Sequence, residues 1–147
     1  MHMSHAWGNA RTALRAGAGA ALAGALLTGC GSGYTGGTDW NAPRRYSYTL
    51  ESHNMVMNES FRIHVTDGKV VRARLLGGGK RPPGKLSDWV FSVEELLKRV
   101  ERARKAEAHR AEVTYDGRRR PAGVKLDQHE KTADDEASYK MRDYRYE

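Results

Sequence analysis

Residues 61–75 read Phe-Arg-Ile-His-Val-Thr-Asp-Gly-Lys-Val-Val-Arg-Ala-Arg-Leu, and the architecture can be built outward from them. Phe61, Ile63 and Val65 alternate with polar residues, which is the period of a strand with one buried face. The Asp67-Gly68 pair that follows favours a type I′ turn, because both central residues of that turn need positive φ. The stretch therefore predicts an antiparallel hairpin whose second strand covers residues 69–75.

A further strand precedes this hairpin, and a helix follows it. Residues 46–51 alternate in the same way, whereas the Gly- and Pro-rich segment 77–88 predicts a loop. Ser92 stands three residues before Glu95, which is the spacing of a helix-capping box. The residues after the cap form one apolar stripe at helical spacing, made of Val93, Leu96, Leu97, Val100 and Ala103.

Three more strand candidates lie beyond the helix, at 111–115, 123–127 and 138–146, with a turn at Asp116-Gly117. Segment 138–146 has no cleanly apolar face. If it lies at the sheet edge, its free backbone groups would accept a strand from a partner. The order β-β-β-α-β-β-β predicts an α+β fold, an antiparallel sheet of about five to six strands with one amphipathic helix packed on one face.

The first 29 residues are typical of an export signal. The basic residues Arg11 and Arg15 come first, and residues 16–27 consist of Ala, Gly and Leu alone. This apolar run is too short for a membrane-spanning helix, which needs about 20 residues. A basic start, a short apolar run and small residues before a cleavage site are the layout of a secretory signal peptide.

The chain has one cysteine, and it ends the sequence Leu27-Thr28-Gly29-Cys30. This sequence resembles the lipobox of bacterial lipoprotein signal peptides, which implies a lipid on Cys30 and cleavage before it. We therefore expect a signal peptide at 1–29, the lipidated cysteine with a flexible Gly-rich tether at 30–43, and a folded domain at 44–147. The expected location is the extracytoplasmic side of the cell membrane, which holds the lipid anchor.

The net charge of the part after the signal peptide narrows the classes of partner that we expect. The chain has 25 Lys and Arg and 18 Asp and Glu, and two of the basic residues precede Cys30, so the mature part carries +5. Export disfavours nucleic acid and leaves anionic lipid headgroups, an anionic cell-wall polymer or an envelope protein as partners. The alternative is a set of independent solvated charges. The candidate contact residues are Arg118, Arg119 and Arg120, joined by Lys80, Arg81 and Lys85 if the two loops meet.

No metal site and no cofactor is predicted. The acid-rich stretch 127–136 has oxygen ligands of the kind that calcium takes, but its spacing fits no EF-hand loop. Turn formation by short acidic side chains is the simpler interpretation. The histidines after Cys30 are not spaced like helical zinc ligands, and they are His53, His64, His109 and His129.

The chain has no motif that indicates catalysis. A nucleophile elbow, a Ser-x-x-Lys pair, a complete phosphate loop and a zinc-protease helix are all missing from the sequence. We therefore expect no enzyme, but a binding or interaction module of the cell envelope. The alternatives are a soluble secreted ligand-binding protein and a small extracytoplasmic enzyme.

Four segments of the chain, in this order, resemble a known family, namely 48–52, 61–71, 113–117 and 134–136. The family is that of actinobacterial lipoproteins with the domain of unknown function 6174. The resemblance extends over residues 44–146. It implies secretion and a small α+β domain, and it brings no established activity and no catalytic residues.

Overall fold

The computed structural model describes residues 33–78, 81–132 and 136–147. The helices and strands of this part follow one another along the chain as β1 (Gly33–Thr35), β2 (Arg45–Asn54), β3 (Asn58–Thr66), β4 (Lys69–Leu76), a 3-10 helix (Leu86–Asp88), α1 (Val93–Lys105), β5 (Arg110–Tyr115), β6 (Pro121–Asp127) and β7 (Ala137–Tyr146).

Six strands form an antiparallel sheet with one helix on one face, as predicted. The order across the sheet is β5-β6-β7-β2-β3-β4, and β1 joins the β5 edge as a short parallel strand. Helix α1 lies against β5 and β6. The α+β class and the order of the six strands around the helix are therefore confirmed, and β1 is an addition to them.

The hairpin that the sequence marks most clearly forms β3 and β4. Asp67 and Gly68 adopt φ values of 49° and 73°, the left-handed conformations that a type I′ turn needs. Phe61, Ile63 and Val65 are buried in the core. Because side chains alternate along a strand, the polar residues between them lie on the opposite face of the sheet.

Helix α1 begins with the predicted capping box. The Ser92 hydroxyl accepts a hydrogen bond from the Glu95 N–H at 3.2 Å, and the Glu95 carboxylate accepts one from the Ser92 N–H at 2.7 Å. All five residues of the apolar stripe are buried. They face an aromatic layer on the sheet, in which the Tyr48 ring stacks on Tyr144 with 5.6 Å between ring centres.

Strand β7 lies inside the sheet, so the edge position that strand addition by a partner would require is not present there. It pairs with β6 on one side and β2 on the other. A bulge at Asp143, whose φ is 54°, adds one residue to β7 and changes the phase of its side chains. Tyr139 and Met141 face the core before the bulge, and Tyr144 packs against the core after it. This change of phase is why neither face of 138–146 is apolar in the sequence.

Residues 33–43, predicted as part of a flexible tether, are attached to the domain instead. Strand β1 pairs with β5 over its three residues. The Arg104 guanidinium donates to the Thr35 carbonyl at 2.6 Å, and the Tyr115 hydroxyl donates to the Gly37 carbonyl at 2.8 Å. The folded part therefore begins earlier than residue 44.

The glycines of this segment favoured a flexible tether in the sequence, but at least one of them serves close packing. Gly36 has φ 73°, and a Cβ atom there would lie 2.1 Å from the Val113 carbonyl oxygen. Three residues beyond the last glycine, the half-buried Trp40 packs against the core, with its ring edge-on to Tyr46 at 5.3 Å between ring centres. Glycine here permits a close approach of two backbones.

Candidate functional site

The basic run Arg118–Arg120 forms the turn between β5 and β6. Asp116 organises this turn, because its Oδ1 accepts hydrogen bonds from the backbone N–H groups of Arg118 and Arg120 at 2.9 Å each. Arg119 takes the left-handed conformation, with φ 59°. The acid that precedes the run is thus part of the turn itself.

Arg120 is held by the protein. Its guanidinium lies 2.6 Å from Asp116 Oδ2 and 5.0 Å from the centre of the Tyr144 ring. Burial alone would raise the pKa of Asp116, but the hydrogen bonds from the Arg120 side chain and from the turn backbone hold it below its ordinary value. Arg118 and Arg119 stay exposed, so the run offers a partner two cations and not three.

The two basic loops do not come together. Lys85 precedes the 3-10 helix, whose residues Leu86 and Ser87 lie beside β4. The Arg118–Arg120 turn starts β6, and three strands separate β6 from β4. At about 4.8 Å per strand, that separation is about 19 Å across the sheet. Lys80 lies outside the described residues.

The sheet face opposite α1, which we call the open face, is a basic surface of the described part. Strand register places Arg62 directly opposite Arg74, and His64 opposite Arg72. Cations outnumber acids on this face. The cations are Arg45, Arg62, Lys69, Arg72, Arg74, Arg110, Lys125, Lys140, Arg142 and Arg145, and the acids are Glu51, Glu112, Asp127 and Asp143.

Three arginines meet at a shallow depression of about 470 Å³ on the open face, which we call the arginine depression. The Arg62 side chain crosses β2 towards β7. Its guanidinium donates to Ser47 Oγ on β2 at 2.8 Å and to the Asp143 carbonyl on β7 at 2.9 Å. Arg74 and Arg145 line the same depression and are exposed. Within the described ranges neither of these two forms a salt bridge.

The charges of the arginine depression repel one another. Burial lowers the pKa of Arg62, and the neighbouring Arg145 lowers it further, whereas Asp143 and Glu147 act in the opposite direction. Asp143 lines the depression, but its Oδ2 is 2.5 Å from Arg142 Nη1, with which it forms an ion pair. Like charges directly opposite each other destabilise a sheet. A bound anion would remove this repulsion, and guanidinium groups suit phosphate and carboxylate oxygens because they donate paired hydrogen bonds.

The arginine depression is not among the sites predicted from the sequence. One signal was present, because the polar positions of β3 and β4 that face away from the core include Arg62, Arg72 and Arg74. Arg145, the remaining arginine of the depression, could not have been assigned to this face from its spacing. The bulge at Asp143 reverses the side of the sheet on which Arg145 lies.

The candidate lipid site stays a prediction. Leu27, Thr28, Gly29 and Cys30 all lie outside the described residues. In the part of the chain that the structure describes, no helix has the length and apolarity needed to cross a membrane.

The candidate metal ligands are not gathered into a site. Across 33–78, 81–132 and 136–147, no three His, Cys, Asp or Glu side chains are placed to hold a metal ion. Asp127 instead accepts a hydrogen bond from the His129 N–H at 3.1 Å, as expected of a turn. Asp134 and Asp135 lie outside the described residues.

These observations define a small α+β domain with a helix on one face of its sheet and an open basic face on the other. The chain belongs to the Family of unknown function (DUF6174), whose model matches residues 38–146. The match begins inside the attached N-terminal segment. No curated protein and no solved structure matches the chain.

Proposed function

We propose that the chain is an extracytoplasmic lipoprotein, anchored by a lipid on Cys30, whose domain binds an anionic partner of the cell envelope on the open face. The arginine depression carries this proposal. It combines two exposed guanidinium groups, on Arg74 and Arg145, that form no salt bridge within the described residues, with the half-buried Arg62. A surface that only needed solubility would have paired or dispersed these charges.

The anchor rests on the sequence around Cys30 and is tested separately. Cells that express the full-length chain are labelled with a fatty acid and fractionated, with Cys30→Ser beside the wild type. We expect label and membrane association for the wild type alone. Label-free protein in the medium for both would contradict the anchor and favour a soluble secreted binding protein.

The anion site is tested with inorganic polyphosphate as the probe and the full-length protein as the receptor. The double variant Arg74→Gln/Arg145→Gln removes two exposed cations that have no ion-pair partner in the described part. Each such cation contributes about 1 kcal/mol at an anionic surface, so we expect binding about 30-fold weaker. The matched control Arg102→Gln/Lys105→Gln removes the same charge from α1. Equal weakening by both variants would contradict a localised site.

A further inference from the structure

The attached N-terminal segment determines how far the domain can stand from its anchor. Cys30 precedes Gly33, the first residue of β1, by three positions. Three residues at full extension span about 10 Å, which is also about one Debye length at 0.1 M salt. If Cys30 carries a lipid, as proposed above, the sheet is held within electrostatic range of the headgroups.

The chain that follows Cys30 joins the sheet at one corner. Gly33 pairs with Arg110, the first residue of β5, and Arg110 pairs with Asp127 at the end of β6. The turn between β2 and β3 lies at this same end, because Asn54 pairs with Ala137, which in turn pairs with Leu126. From a corner the domain can turn either face of the sheet, or its end, towards the membrane.

Charge selects among these three contacts. The exposed side of α1 carries three cations, Lys98, Arg102 and Lys105, and two acids, Glu95 and Glu101. An end-on contact would bring the exposed Glu136 against anionic headgroups. The open face has the largest surplus of cations and therefore the most favourable electrostatic energy of the three.

An apolar feature at the anchored end of the sheet would hold the domain at the headgroups in either the face-on or the end-on contact. Met55 and Val56, in the turn between β2 and β3, are 66% and 67% exposed. They lie at the anchored end of the sheet, where a short tether would bring them among the headgroups. Arg110 and Lys125 line the cleft next to Met55. Basic and apolar groups side by side suit the boundary between headgroups and acyl chains.

We propose that the open face docks flat on the anionic headgroups of the membrane that holds Cys30, with lipid phosphate groups in the arginine depression. This inference rests on the proposed lipid anchor. It differs from the proposed function by committing to one partner, the surface of the same membrane, and it predicts that the helix side faces outward.

The test measures which lysines the membrane covers. Full-length protein, processed and lipidated in cells, is placed in vesicles of phosphatidylglycerol and phosphatidylcholine or in vesicles of phosphatidylcholine alone. A membrane-impermeant amine reagent then labels the exposed lysines, and mass spectrometry gives the labelling rate of each. Lys125 and Lys140 report on the open face, and Lys98 and Lys105 on α1.

We expect the anionic vesicles to slow the labelling of Lys125 and Lys140 about five-fold, equivalent to about 1 kcal/mol. The rates on α1 should not change, and about 1 M NaCl should abolish the protection because it shortens the Debye length to about 3 Å. Arg74→Gln/Arg145→Gln should also abolish the protection while the lipid stays attached.

Three results would overturn the docking. Equal rates in both kinds of vesicle would show an undocked domain, and protection of Lys98 and Lys105 would show the opposite orientation. Protection by soluble polyphosphate but not by anionic vesicles would assign the site to a polymer. In each case a lipidated protein leaves the proposed anchor standing, whereas failure of fatty-acid labelling removes the anchor and the docking together.

Discussion

Substituting alanine at Gly36 tests whether the N-terminal segment is attached, on which the length of the tether depends. A Cβ atom at Gly36 would lie 2.1 Å from the carbonyl oxygen of Val113. Val113 cannot yield, because β5 is paired on both sides and Val113 itself lies opposite Val124. The segment must therefore move away, and with it the contacts around β1.

The expected cost follows from what the movement breaks. The Arg104 guanidinium loses the Thr35 carbonyl, a charge-assisted hydrogen bond of about 1.5–3 kcal/mol, and Tyr115 loses Gly37, about 0.5–1.5 kcal/mol. The φ of 73° at Gly36 adds to the cost for an alanine. We expect the free energy of unfolding to fall by about 2–4 kcal/mol.

Gly37→Ala is the matched control, since a Cβ atom at Gly37 meets nothing within 4 Å. It should leave stability unchanged or raise it by about 0.4–1 kcal/mol, because alanine restricts the unfolded chain. Urea unfolding gives the free energies, and hydrogen exchange with mass spectrometry reports on residues 33–43 directly. If both variants unfold alike and exchange in 33–43 is equally fast, the segment is a free tether and the reasoning fails.

Two further predictions concern the tyrosines of the core. Tyr46→Phe should lower the free energy of unfolding, measured by urea unfolding, by about 2–4 kcal/mol. The reason is that Glu94 loses a hydrogen-bond donor and the buried Val93 N–H loses its acceptor. A change below about 0.5 kcal/mol would contradict these bonds. Burial also raises the pKa of Tyr46, Tyr48 and Tyr144 far above the ordinary value of about 10. The folded state keeps these three protons after the unfolded state has lost them. The contribution of the three tyrosines to the free energy of unfolding should therefore be constant below about pH 10 and then fall by about 4 kcal/mol per pH unit. A shallower fall, measured by urea unfolding, would refute the burial.

Local patterns predicted the fold well where neighbours in sequence determine the structure. The turn at Asp67-Gly68 needs only two residues that tolerate positive φ, and the start of α1 needs only Ser92 and Glu95. Such signals depend on no distant contact. The order of six strands around one helix followed from them.

The sequence could not reveal features that depend on contacts between distant residues. The attachment of Gly36 depends on a carbonyl on β5, 77 positions further along the chain, and a Gly-rich segment otherwise favours a flexible linker. The bulge at Asp143 likewise cannot be seen in a pattern that assumes strict alternation. In both cases the sequence favoured backbone at the surface of the domain. The structure instead has β7 inside the sheet and the N-terminal segment against it.

The same limit explains why the sequence pointed to Arg118–Arg120 and not to the arginine depression. Arg118–Arg120 is conspicuous because its members are consecutive, yet Arg120 is neutralised by Asp116 within the turn. The arginine depression draws on β3, β4 and β7, so its members are scattered along the chain and become neighbours only in the sheet.

The contrast between these clusters is the main support for the proposed binding role of the depression. Arg120 and Arg142 show that this fold readily supplies acids to its arginines, at 2.6 Å in both cases. On the open face, Arg62 stands directly opposite Arg74 with Arg145 nearby, an arrangement that costs about 0.2–1 kcal/mol for each like-charge pair. Solubility would be served equally well by the same cations placed apart. This cost, in a domain that pairs other arginines with acids, is what we expect if the proposed anionic partner supplies further negative charge to the depression.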